Sequence, residues 1–227
     1  MIDPMLGIVE LKLAGVRVVV IVLGLGLWFL TQWLISRRDA AMLASGAGLC
    51  DRIHDLTAPL HARLLANPKK ANALLIASSL VIDLVSIWVL LLAIFGATFQ
   101  PFLGLLMVFA LRQICQMCCP LPPPNGMIWR HPGFPALLVT YGCSSDLFFS
   151  GHTALAVFGA ACLGNALGPV GIALGIAVAI FEITTVLVLR AHYTMDVFTG
   201  TITAMFVYQF AWKIAPTVDQ WLAQIVY

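Results

Sequence analysis

Charge is what this sequence lacks most. Of 227 residues only 10% are charged, while 61% are hydrophobic, and the mean hydropathy is +1.00. Soluble domains carry about a quarter charged residues, so the composition excludes a soluble enzyme and predicts an all-α integral membrane protein facing lipid. A net charge of +2 is too small to hold nucleic acid. Six cysteines form no zinc pattern: Cys115, Cys118 and Cys119 cluster, but no second ligand pair answers them. Each thiol is read as buried and reduced, with a bridge from Cys118 or Cys119 to Cys143 left open if that loop faces an oxidising compartment. No cleavage site follows a short apolar core near the start, so the first apolar run reads as a retained span. Internal repeats and low-complexity tracts are absent.

What the chain has in quantity is long apolar runs. A spanning helix takes about 20 such residues, and six stretches qualify: Ala14–Ile35, Ala73–Phe95, Phe99–Cys119, His152–Leu167, Val170–Leu189 and Val197–Ile214. The fold class expected is therefore six transmembrane helices with an interfacial helix in the first loop. That helix is read from Leu49, Ile53, Leu56, Leu60 and Leu64, which recur at helical spacing within Ser36–Asn72. The chain divides into an N-terminal segment with the first span (1–35), an interfacial loop (36–72), a catalytic helical core (73–215) and a C-terminal tail (216–227). Between Pro120 and Pro135 six prolines impose an ordered, non-helical loop.

Two short strings carry the chemistry. Ser150-Gly151-His152-Thr153 opens the fourth span, and His192-Tyr193-Thr194-Met195-Asp196 lies between the fifth and the sixth. Two spans separate them, so both fall on one face of the membrane. Free N–H groups at a helix start bind phosphate oxygens, and glycine permits close approach. His152 is placed to give or take a proton at an ester oxygen. His192 can attack phosphorus to form a phosphohistidine. Asp196, about one turn on, can hold its tautomer and stabilise the charge that develops. Arg112 and Arg190 could clamp the phosphate, although Arg112 could instead pair with Asp83. Glu182 lies fourteen residues before Asp196; a continuous helix would put the two on one face about 21 Å apart, leaving Glu182 a supporting role.

The two strings in this order resemble the lipid phosphatase and phosphotransferase superfamily that contains the type 2 phosphatidic acid phosphatases. The run Cys143-Ser144-Ser145-Asp146-Leu147-Phe148-Phe149 before the first string resembles its sphingomyelin synthase branch. So do His192-Tyr193-Thr194-Met195-Asp196-Val197 and the segment from Arg112 through Leu121-Pro122-Pro123-Pro124-Asn125-Gly126. The resemblance implies that His192 is the nucleophile, Asp196 its partner and His152 the residue handling the hydroxyl, with no metal and no cofactor. It leaves Arg112, Ser150, Gly151, Arg190 and Tyr193 to bind substrate. The Lys-x6-Arg-Pro string of the phosphatases is missing here, and Arg190 before His192 is similar to plant-type inositol phosphorylceramide synthases.

The expected activity is transfer of a phospho-head group from a phospholipid donor to a lipid alcohol such as ceramide or diacylglycerol. Two alternatives stand beside it: a lipid phosphatase or phospholipase C-like hydrolase with water as acceptor, and a non-catalytic membrane scaffold or transporter. Membrane lipids are the expected partners, with self-association left open. Lys and Arg number nine on the histidine side and three on the other, which by the positive-inside rule points that side to the cytoplasm. The resemblance implies an extracytoplasmic or lumenal site, and that side is the one expected here.

Overall fold

The computed structural model describes residues 11–36, 49–119, 121–133, 136, 139, 141 and 147–226. Among these residues every regular element is a helix: α1 (Leu11–Ser36), α2 (Arg52–Leu56), α3 (Ala58–Leu65), α4 (Pro68–Phe95), α5 (Gln100–Cys118), α6 (Gly151–Val188) and α7 (Thr194–Val226). Four of them are long and apolar enough to cross a membrane: α1 over Leu11–Leu34, α4, α5 and α6.

Local chemistry sets the helix ends. Asp51 caps α2 by accepting from the Ile53 N–H at 2.9 Å, and Asn67 caps α4 ahead of Pro68 by accepting from Lys70 N–H at 3.2 Å. Gly96 ends α4, and Pro101 sits in the first turn of α5. The apolar core joins α1, α4, α5, α6 and α7, with Trp28 of α1 stacked on Phe109 of α5 at 4.7 Å between ring centroids.

The stretches expected as the fourth and fifth spans form the two halves of one helix, α6. Gly168 between them is not helical: its φ of 60° and ψ of −140° reverse the chain ahead of Pro169. The halves then pack side by side, so closely that a Cβ on Gly175 would lie 2.7 Å from the Ala160 Cα. α7 runs on to Val226, through the residues expected to form a tail. The helix does not continue from Glu182 to Asp196: α6 stops at Val188 and α7 starts at Thr194, so these acids stand on different helices. Glu182 instead accepts from the Ser78 hydroxyl of α4 at 2.6 Å.

The interfacial segment forms as two short helices, α2 and α3, meeting at Thr57. Leu49, Leu56 and Leu60 point outward, while His54 and His61 are buried against the bundle. Burial departs from expectation at Cys50, Cys118 and Cys119, which are exposed because they lie at chain ends of helices rather than within the packed core. Cys162 is buried. Cys143, the other partner of the expected bridge, Asp146, and Arg37 and Arg38 lie outside the described residues.

At the end of the bundle remote from the histidines, Asp219 of α7 gathers three elements. Its Oδ1 accepts from the Arg17 guanidinium of α1 at 3.2 Å and from the Phe99 N–H at 2.8 Å. Its Oδ2 accepts from the Thr98 hydroxyl at 2.6 Å. Arg17 also donates to the Gly96 carbonyl at 2.7 Å.

Candidate active site

Ser150 is the N-cap of α6, its hydroxyl accepting from the Thr153 N–H at 3.3 Å. This starts the helix at Gly151 and sets His152 in its first turn. A Cβ on Gly151 would stand 3.0 Å from Arg112 Nε. Glycine there lets the guanidinium of α5 lie against the helix start, where its Nε donates to the Phe149 carbonyl at 3.0 Å. The helix N-terminus and the arginine thus present positive potential from two elements to one spot.

His192 sits in the turn 189–193 between α6 and α7. Its Nδ1 lies 3.5 Å from Asp196 Oδ2, and both side chains are buried. The same carboxylate oxygen accepts the Tyr193 N–H at 2.9 Å, which locks it across the start of α7. Asp196 Oδ1 has no hydrogen-bond partner. The turn is also tied to the first string, because the Ser150 N–H donates to the Asp196 carbonyl at 3.1 Å.

Gly151, His152, His192 and Arg112 meet at one small, partly open cavity. Trp28, Ile82, Phe109 and Leu155 form its apolar wall, and Trp129 stands beside His152 with ring centroids 5.1 Å apart. His152 Nε2 is buried without a hydrogen-bond partner. Buried polar atoms are normally paired. An orphaned imidazole nitrogen beside a cavity that also holds a guanidinium and a second imidazole is therefore free to serve an oxygen-bearing ligand.

Three residues expected to bind substrate stand outside this cavity. Arg190 donates to the Asn125 carbonyl at 2.8 Å and to the His54 carbonyl at 3.5 Å, so its guanidinium braces the turn instead of clamping phosphate. Tyr193 donates to the Pro122 carbonyl at 3.1 Å and accepts from Leu49 N–H at 3.2 Å. Burial holds its phenol above the ordinary range, so it remains a neutral donor. Ser150 is engaged in its cap. Among the described residues no cluster of three or more His, Cys, Asp or Glu could hold a metal ion.

Sequence reasoning missed Asp51, His54 and His61. Asp51 accepts from the Thr194 N–H at 2.6 Å and hydroxyl at 2.8 Å, at the start of α7. Burial alone would raise its carboxyl, but the Thr194 and Ile53 hydrogen bonds outweigh that and hold it below the usual carboxylate range. The one local signal was the spacing of His54 and His61, seven residues apart and so on a common helix face.

No curated protein and no solved structure matches the chain. A family model described as AtPDCT1/2 matches residues 50–213, a range that holds α2 to α6, both histidine strings and Arg112. With well over half of its length under that match, the chain belongs to the AtPDCT1/2 family, a lipid phosphotransferase family.

Proposed function

We propose that the protein moves phosphocholine from phosphatidylcholine to diacylglycerol through a phosphohistidine on His192. The family's description, phosphatidylcholine:diacylglycerol cholinephosphotransferase, supports this head group and acceptor. Diacylglycerol is one of the two acceptors expected from the sequence; the family lends no support to the other, ceramide. The carrying observation is the cavity in which His152, His192, Arg112 and Gly151 converge, with Asp196 behind His192.

Asp196 faces Nδ1 of His192 and so leaves Nε2 to attack phosphorus. A P–N bond forms as the P–O bond to the glycerol oxygen breaks, and His152 delivers the proton that lets diacylglycerol leave neutral. A second diacylglycerol then gives its hydroxyl proton to His152 while its oxygen attacks phosphorus, restoring His192. Arg112 and the first N–H groups of α6 hold the non-bridging oxygens throughout. Trp129 offers an aromatic face of the kind a trimethylammonium group favours. The ester broken equals the ester made, so the exchange is nearly isoenergetic, and the apolar wall that keeps water from the phosphohistidine favours transfer over hydrolysis.

In the membrane this reading takes six passes, α1, α4, α5, the two halves of α6 and α7, with the cavity on the extracytoplasmic or lumenal side. The test is an assay of purified protein in lipid with choline-labelled phosphatidylcholine and a diacylglycerol of distinct acyl chains. Labelled phosphatidylcholine carrying the new chains is expected, and His192→Ala should reduce it by at least about 10³-fold. Label released only as free phosphocholine would turn the reading to the hydrolase. Undiminished transfer in His192→Ala would remove the phosphohistidine.

A further inference from the structure

The turn 189–193 that carries His192 closes α6 with two hydrogen bonds of its own, from the Arg190 N–H to the Leu187 carbonyl at 3.1 Å and from the Ala191 N–H to the Val186 carbonyl at 2.9 Å. Arg190 within it has a φ of 54°, a conformation L side chains rarely adopt. The turn is gripped from outside by elements distant in sequence. His61 of α3 bonds through Nδ1 to the Val188 carbonyl at 2.8 Å, and the Ile128 N–H donates to the Leu189 carbonyl at 2.9 Å. Asp51 binds Thr194 just beyond it. At the centre of this grip, Nε2 of His54 lies 3.0 Å from the carbonyl of His192 itself. His54 is buried, and its ring lies 5.8 Å from that of Tyr193 at an interplanar angle of 29°.

We propose that His54 is a positioning residue for the reaction: its Nε2–H fixes the His192 carbonyl, and thereby the direction in which the His192 imidazole faces phosphorus. The inference rests on the reading of His192 as nucleophile. A carbonyl only accepts, so His54 Nε2 must donate, and both its neutral Nε2–H tautomer and its imidazolium can do so. The contact is therefore made by either form of the ring. The charged and titratable groups next to His54 are Asp51 on its own segment, Arg190 and His192 on the turn, and the Tyr193 phenol. Releasing the carbonyl lets the peptide of residue 192 swing. Misplacing a reacting group by about 1 Å can cost about 100-fold in rate.

The experiment compares His54→Leu, which removes the donor, with His54→Gln, whose Nε2 amide reaches about as far as the imidazole Nε2. His54→Leu should lower kcat by about 30- to 100-fold, with KM for phosphatidylcholine within about twofold. His54→Gln should recover most of kcat and keep the wild-type pH profile. A wild-type kcat in His54→Leu, a loss confined to KM, or a His54→Gln no better than His54→Leu would each overturn the proposal. If His54→Leu does not fold, His54→Gln is compared with His54→Asn, whose shorter arm falls short of the carbonyl; equal kcat values would overturn it. His192→Ala run in parallel separates the two levels. Activity surviving there defeats the nucleophile assignment, whereas a dead His192→Ala beside a fully active His54→Leu defeats only the role given to His54.

Discussion

Helix α7 bears two aspartates, one at each end of the bundle, and they live in opposite conditions. Asp219 uses both oxygens: Arg17, Phe99 and Thr98 all donate to it, and together they close the remote end over α1, the α4–α5 turn and α7. Asp196 is fully buried yet uses only one oxygen in hydrogen bonding, on the Tyr193 N–H, and lies 3.5 Å from an imidazole nitrogen that has no hydrogen bond. A carboxylate matched donor for donor is a fastening. One left partly unmatched beside an imidazole suits the proposed mechanism, in which a charge forms on that imidazole during reaction.

The sharpest way to break this comparison is to blunt each carboxylate alone. Asp196→Asn should cut transfer by about 10³-fold or more, with the thermal unfolding midpoint barely moved. Asp219→Asn should do the reverse. It removes the charge facing the buried Arg17 guanidinium, which keeps the Gly96 carbonyl, and should destabilise the protein by about 1–3 kcal/mol, measured by thermal unfolding in detergent, while kcat in the folded fraction stays within a few-fold. Pairing Asp219→Asn with Arg17→Met should restore part of that stability, because the Asn oxygen can still accept from the Phe99 N–H. An Asp219→Asn variant that is stable but inactive would erase the distinction between the two ends.

Smaller effects sharpen it. Gly151→Ala would set a methyl group 3.0 Å from Arg112 Nε and should lower kcat about tenfold by displacing the guanidinium from the helix start, seen in the same lipid-transfer assay. Acid should loosen the histidine end through Asp51. Its folded carboxyl lies below the unfolded value of about 4, so its contribution to stability is complete above that value and is lost as pH falls through the lower, folded one. Hydrogen exchange at the start of α7 should rise in that window in wild type, and Asp51→Asn should show the fast exchange already at neutral pH. The least effect is expected from Glu182→Gln. Its amide oxygen can still accept from Ser78, and Glu182 is not among the residues lining the cavity, so transfer should change by less than about threefold.

The helical character, the start of α6 at the Ser150 cap and the face shared by the two histidine strings were legible in the sequence, because each follows from a local pattern. The outward leucines of α2 and α3 were legible for the same reason. What the histidines of that segment do was not: His54 meets the His192 carbonyl across 138 residues, and hydrophobic periodicity carries no information about such a partner. Arg190 misled in a similar way. A cation two residues before His192 reads as a phosphate clamp, but the left-handed backbone there and two nearby carbonyls give its guanidinium other work. The extent of α7 was hidden because Lys213, Pro216 and Asp219 read as the close of a span, whereas Asp219 is paired and Pro216 is tolerated inside the helix.

The reversal at Gly168 and Pro169 bears on how the protein is made. Each half of α6 is at or slightly under the length that crosses a bilayer comfortably alone, and their facing glycines have nothing to pack on until both exist. In the proposed six-pass arrangement the first half should therefore enter the lipid together with the second, as a pre-paired unit. A released chain ending shortly after Pro169 should leave Cys162 open to a water-soluble maleimide, and one ending beyond Val188 should bury it.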